Sequence, residues 1–176
     1  MKKKYIILII LFAVIANAVL VFMIILPKIG YSTIENAMWL NPSIQCYEIY
    51  DEIESGDCIL VVYKGSSATK SQILYKSNGR YFVFDYDTSS IIFENTVKGL
   101  IAVREVDDEY TIEVHGIHNK KEPQKVVDSL GSVFEYRFCD YGSSSSHKWF
   151  LAMDEIPENY CIYLDDLKVA VPAQNN

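Results

Sequence analysis

The chain has 176 residues, half of them hydrophobic (50%), and a formal net charge of −7. Its length suits one ordinary domain, or two small ones, besides a targeting segment. Three lysines precede the first apolar run, so the rest holds 13 Lys/Arg against 23 Asp/Glu, and so acidic a surface repels phosphate backbones and speaks against a nucleic-acid partner.

Residues 1–4 form a short basic stub, and Tyr5 to Leu26 then reads YIILIILFAVIANAVLVFMIIL, with Asn17 the one strongly polar residue. As a helix this run is about 33 Å long, a match for a hydrocarbon core of about 30 Å. Sixteen of the 22 residues are Ile, Leu, Val or Phe, which favours insertion by roughly 5–10 kcal/mol. Lys2, Lys3 and Lys4 precede the run, and only Lys28 follows before Lys64. The positive-inside bias therefore predicts a single-pass signal anchor in the cell membrane, with a cytoplasmic N-terminus and an extracytoplasmic body. The competing reading is a cleaved signal peptide, because Ala16-Asn17-Ala18 is a small-x-small site. Cleavage after Ala18 would leave VLVFMIIL at the new terminus of a secreted protein, a poor start for one.

Residues 30–56 read as an amphipathic helical segment in two pieces. Ser32-x-x-Glu35 has the form of a capping box ahead of Ile34, Ala37, Met38 and Leu40, and Asn41-Pro42 interrupts the helix. Cys46, Ile49, Tyr50 and Ile53 then fall at i, i+3, i+4 and i+7, with Gly56 where a C-terminal cap belongs.

From residue 57 the period becomes that of strands. CILVVYK (58–64) suits a strand buried on both faces. KSQILYKS and RYFVFDY flank Asn78-Gly79, a strong hairpin signal, and IIF (91–93) reads as one more short strand in a meander over 57–96. Over 97–172 follow KGLIAVREV, EYTIEVHGI across Asp107-Asp108, VFEYRFC, KWFLAM, NYCIYLD and LKVAV. The predicted fold is thus an N-terminal transmembrane helix followed by a strand-rich α+β body, its late part a small antiparallel β-sandwich or partial barrel. One domain or two is compatible with this pattern.

An N-terminal apolar segment, an amphipathic helix, the GDCILVVYK strand and a late VxDSxGSxFEY…KWF…IPENYCIYLDD pattern resemble uncharacterised single-pass exported proteins of Gram-positive bacteria. Those carry a C-terminal Ig-like β module ending on a P-x-x-Y-x-I strand. The resemblance covers residues 33–172; it implies an envelope-facing module and brings no activity or site residues.

Candidate chemistry is sparse. Ser67-x-x-Lys70 and Ser145-x-x-Lys148 have the Ser-Lys spacing of penicillin-recognising enzymes, but S-D-N and K-T-G are missing. Glu54-Ser-Gly-Asp-Cys-Ile-Leu-Val resembles a strand of membrane-anchored signal peptidases, without the Ser-Met nucleophile that should precede it. His115 and His118, with His147, would make a metal site only if Gly116 turned the chain. Asp85-x-Asp87-x-Ser89 begins like a calcium loop, yet Ser90 and Thr96 stand where glycine and a bidentate Glu are required. No cofactor or metal is expected. Cys46, Cys58, Cys139 and Cys161 permit disulfides in an exported body, Cys46–Cys58 across the helix-to-strand turn or Cys139–Cys161 between late strands; otherwise they are small buried thiols. Tyr75, Tyr81, Phe82, Phe84 and Tyr86 are a candidate aromatic binding face, and the polar loop Tyr141–His147 is a second candidate.

The expectation is a membrane-anchored, non-enzymatic binding or interaction module at the cell envelope. Its partners would be the membrane through Tyr5 to Leu26 and another envelope protein or a wall polymer. The alternative is an anchored envelope hydrolase or peptidase using Ser67 and Lys70.

Overall fold

The computed structural model describes residues 2–66, 68–83, 91–95, 99–106, 109–116, 125–140 and 145–171. An apolar helix comes first: α1 (Lys2–Leu20), one π turn (Val21–Ile25) and α2 (Leu26–Ile29). From Lys4 to Ile29 it is long and apolar enough to cross a membrane, with a mean hydropathy of 3.1 and 0% of its most apolar window buried against the body. Asn17 meets its own polar demand, donating from Nδ2 to the Ala13 carbonyl at 2.8 Å. The π turn widens the helix just before Pro27, whose ring would otherwise press on the carbonyl four residues back.

The helix ends at Gly30, where φ is +77° and ψ 162°, a conformation open essentially to glycine alone. The chain then runs beside the edge of the first sheet. Tyr31 and Tyr81 exchange both backbone hydrogen bonds, at 2.8 and 2.9 Å, and Arg80 Nη1 donates to the Gly30 carbonyl at 2.8 Å.

Next comes α3 (Ile34–Leu40). Its N-cap is Thr33, which accepts from the Asn36 amide at 3.2 Å, rather than the expected Ser32; Ser32 instead accepts from the Asn36 side chain at 3.0 Å. The second expected helix does not form. Its residues make β1 (Glu48–Ser55), which pairs antiparallel with β2 (Cys58–Lys64). Gly56, with φ +58°, opens the two-residue turn between them and caps no helix.

Sheet A runs β1-β2-β3-β4, with β3 (Thr69–Ser77) and β4 (Arg80–Val83) joined through Asn78 and Gly79 at φ 51° and 72°. Two left-handed residues in a row match the strand twist, as the hairpin signal predicts. Sheet B runs β5-β6-β7-β10-β9: β5 (Ile91–Asn95), β6 (Gly99–Val106), β7 (Glu109–Gly116), β10 (Ser145–Met153) and β9 (Glu135–Asp140). Sheet C runs β12-β11-β8: β12 (Leu167–Ala170), β11 (Cys161–Leu164) and β8 (Val126–Asp128). The strand at 91–95 pairs with β6 rather than with the preceding meander, so the passage from sheet A to sheet B lies between 83 and 91.

The layers stack as α3, sheet A, sheet B, sheet C, with three apolar fillings. Ile34, Ala37 and Met38 of α3 meet Ile59, Val61, Tyr63 and Leu74 of sheet A. Ile53, Leu60 and Ile73, on the opposite face of sheet A, meet Val106 and Phe150 of sheet B. Ile101, Ile112, Trp149 and Leu151 meet Ile162 and Val169 of sheet C and Tyr160 just before β11. The run 58–63 is apolar throughout because β2 is buried on both faces, with pattern BBBBBBe. Sheets B and C thus form the expected antiparallel sandwich.

A methyl group at residue 30 would sit 2.8 Å from Phe82 Cζ and 3.0 Å from Arg80 Cβ. Gly30→Ala should therefore destabilise the junction by about 1–3 kcal/mol, measured as loss of amide protection at Tyr31 and Tyr81 with the distant β11 amides unaffected. Unchanged protection at residue 81 would refute the junction as described.

Candidate functional site

At the middle of sheet B, Glu113 on β7 pairs with Ala102 on one side and Phe150 on the other. Its side chain points toward sheet A and is fully buried, at 0% exposure. Alternation along the strands brings four partners to that face. His115 lies two residues on along β7, Lys148 pairs with His115, Arg104 pairs with Thr111, and Ser71 reaches across from sheet A. Arg104 Nη1 lies 2.8 Å from Glu113 Oε2; His115 Nε2 and Lys148 Nζ lie 2.5 and 3.1 Å from Oε1. Ser71 Oγ donates to Oε2 at 3.3 Å.

Burial by itself would raise the Glu113 carboxyl, but the charges of His115, Lys148 and Arg104, with the hydrogen bond from His115, outweigh it and hold the group well below the usual carboxylate range. The side chains of Lys148 and Glu113 are 4% and 0% exposed, whereas those of Arg104 and His115 keep 14% and 26%. Solvent therefore touches the rim and not the carboxylate. This arrangement can hold a charge in place between two sheets; a general acid or base needs its atoms within reach of a substrate, and Glu113 is sealed from one.

A second buried carboxylate ties sheet C together. Asp128 Oδ1 accepts from the amides of Leu130 at 3.0 Å and Ser132 at 2.7 Å, and Oδ2 accepts from the Tyr160 hydroxyl at 2.8 Å. Burial pushes the Asp128 carboxyl up, and the bonds from Ser132, Tyr160 and Leu130 more than reverse that. Burial, with Asp128 beside it, pushes the Tyr160 phenol far up.

Most pairings suggested by spacing are separated by a sheet. Ser145 and Lys148 lie three apart on β10 and so point to opposite faces. Lys148 pairs with His115, so His147 points away from His115 and lies 2.9 Å from the Tyr136 hydroxyl instead. Among the described residues, no group of three His, Cys, Asp or Glu is arranged to hold a metal ion. No disulfide joins any of the four cysteines. Cys58 belongs to the filling between sheets A and B, while Cys46 packs against the filling on the α3 side. Cys139 faces sheet A beside Asp51, 3.9 Å from its Oδ2, and Cys161 lies on sheet C beyond sheet B. Neither expected bridge has its partners on one face.

The aromatic set does not form one face either. Tyr75 pairs with Phe82 and packs into the filling between sheets A and B, whereas Tyr81 packs into the filling under α3. Phe84 and Tyr86 lie outside the described residues, as do Ser67, His118, the 85–90 loop and 141–144. Lys70, by contrast, lies on β3 paired with Tyr63. The Glu113 cluster escaped the sequence reading because its members come from four strands; only alternation around Glu113 and His115 hinted at a shared face. No protein-family model, curated protein or solved structure matches the chain.

Glu113→Gln should lower stability by about 3–5 kcal/mol, since Arg104 and Lys148 would lose their buried counter-charge. A depressed folded-state carboxyl contributes fully above its unfolded value of about 4.3 and loses that contribution as pH falls through the folded value. Urea midpoints taken from pH 7 down to pH 2 should thus fall for the parent chain and stay flatter for Glu113→Gln. Tyr160→Phe should cost about 1.5–3 kcal/mol by the same measurement at pH 7, the worth of one hydrogen bond to a charged acceptor.

Proposed function

We infer that the chain is a single-pass membrane protein whose folded body lies outside the cytoplasm and acts by binding rather than by catalysis. The observation that carries this reading is the apolar helix from Lys4 to Ile29, whose most apolar window is 0% buried and which meets the body's core only at its end, through Leu26. A helix that is apolar all round and uncovered over most of its length has lipid as its natural solvent. The lysines at 2–4 favour a cytoplasmic N-terminus.

Two things support binding over catalysis. The polar cluster around Glu113 is closed by its own ion pairs. Apart from the helix and the residues close after it, the large apolar side chains exposed among the described residues are Leu130, Val133 and Phe138, at 56%, 81% and 52%. These lie in the β8–β9 connection and on β9, the last strand of sheet B, where another envelope protein or a wall polymer has apolar surface to meet.

A reporter active only outside the cytoplasm, fused after Asn176, should be active, and the full chain should resist carbonate extraction. A silent reporter would reverse the orientation, and a released product beginning at Val19 would show a cleaved signal sequence. Ser67→Ala should leave the phenotype of the parent intact, whereas loss of phenotype with an unchanged melting curve would favour the hydrolase.

A further inference from the structure

Among the described residues, the exposed large apolar side chains beyond the helix fall in two groups, and one of them lies close in the chain to the place where the helix joins the body. Trp39 is 58% exposed, Leu40 41% and Tyr47 67%. Helix α3 spends its inner face, Ile34, Ala37 and Met38, on sheet A. Trp39 and Leu40 point away from that core. The Trp39 side chain lies near the Cys46 thiol, and Tyr47 follows Cys46 directly in the chain. Tyr47 is fixed in turn by its amide, which donates to the Lys64 carbonyl at 2.9 Å.

Trp39 is tethered closely to the helix. Only Gly30 to Thr33 separate Ile29 from Ile34. Even fully extended, that link and α3 together place Trp39 within about 25 Å of the helix end. The link is also pinned to the body: Tyr31 pairs with Tyr81, Arg80 holds the Gly30 carbonyl, and Leu26 packs on the same filling that α3 covers. The 26 residues from Lys4 to Ile29 make a helix of about 39 Å, longer than a hydrocarbon core of about 30 Å. Its last turns therefore emerge in the headgroup layer, at the level where Trp and Tyr concentrate in membrane proteins.

We propose that Trp39, Leu40 and Tyr47 seat the body in the headgroup layer of the same bilayer that holds the helix. This rests on the anchored reading. The seat suits zwitterionic lipid: Glu35 lies in the first turn of α3, and the chain after the helix is strongly acidic, so an anionic surface would push the body away. With the seat made, the body lies along the membrane, tied at two places.

Tryptophan quenching in the full chain tests this. The chain has 2 tryptophans, and Trp149 is buried at 6% exposure, so the difference between parent and Trp39→Phe reports Trp39. The chain is reconstituted in phosphatidylcholine vesicles whose acyl chains are brominated near the headgroup. Trp39 should lose about half its emission or more to the host lipid, and its quenching by aqueous acrylamide should fall at least about threefold relative to free tryptophan. Leu40→Glu, a change at a surface position, should return Trp39 to acrylamide. A chain that floats with the vesicles while Trp39 stays open to acrylamide and blind to bromine overturns the seat and leaves the anchor standing. A chain that does not float overturns the anchored reading and the seat with it. Quenching by added protein-free brominated vesicles, and not by host lipid, would also overturn it.

Discussion

A carboxylate taken wholly out of water costs several kcal/mol unless cations meet it, and the two central sheets are packed around one such group. Glu113 sits at 0% exposure with Arg104, His115 and Lys148 on its oxygens. Arg104 comes from β6, Lys148 from β10 and Ser71 from the opposing sheet. Within sheet B, β6, β7 and β10 cannot slip register by one residue without stranding that charge, and Ser71 adds one hydrogen bond from sheet A. The filling around it is otherwise apolar, with Phe150 next to Glu113 in register. Losing a buried phenylalanine of this kind typically costs about 3–5 kcal/mol, so apolar packing joins the two layers while the ion pairs fix the strands of sheet B on one another.

Stacking three sheets has a chemical consequence. Every residue of a middle sheet looks into one of two separate fillings, and neighbours in sequence look into different ones. Pairs that spacing suggests as partners, Ser145 with Lys148 or His115 with His147, are thereby kept apart, and residues far apart in sequence are brought together. The same rule keeps the thiols of Cys46 and Cys58 on opposite sides of sheet A. Among the described residues, Cys58 faces Glu109 at 3.7 Å, and the phenol of Tyr160 is bound to Asp128.

The helix does not hang from a loose linker. The chain leaving it becomes, at Tyr31, a partner of the sheet A edge strand β4. That pairing covers an edge that would otherwise be free to recruit another strand. It also fixes the direction in which the body leaves the helix, and so which side of α3 is turned toward the end of the helix. Orientation of the whole body is decided by a few residues at one corner of one sheet.

The sequence alone made the apolar helix legible, since 22 residues with one polar side chain admit few other readings, and it marked the hairpin at Asn78-Gly79, the doubly buried β2 and the strands of the sandwich. Local chemistry suffices for those: each is set by hydropathy, by period, or by a turn that demands positive φ. It misread β1, and the physical reason is a bulge. The register of β1 shifts between Ile49 and Asp51, which changes the phase of alternation. Cys46 and Ile49 then pack under α3 while Ile53 packs toward sheet B. Two strand faces joined through a bulge imitate the i, i+3, i+4, i+7 stripe of one helix face. Gly56 completed the imitation, because a helix cap and this hairpin turn both favour a glycine at positive φ. Only the tertiary structure could decide, since β1 is a strand by virtue of pairing with β2. The Glu113 cluster was hidden for the same reason: its charges come from β6, β7 and β10, which meet only when sheet B pairs, and Ser71 of β3 joins them only once sheet A lies against it.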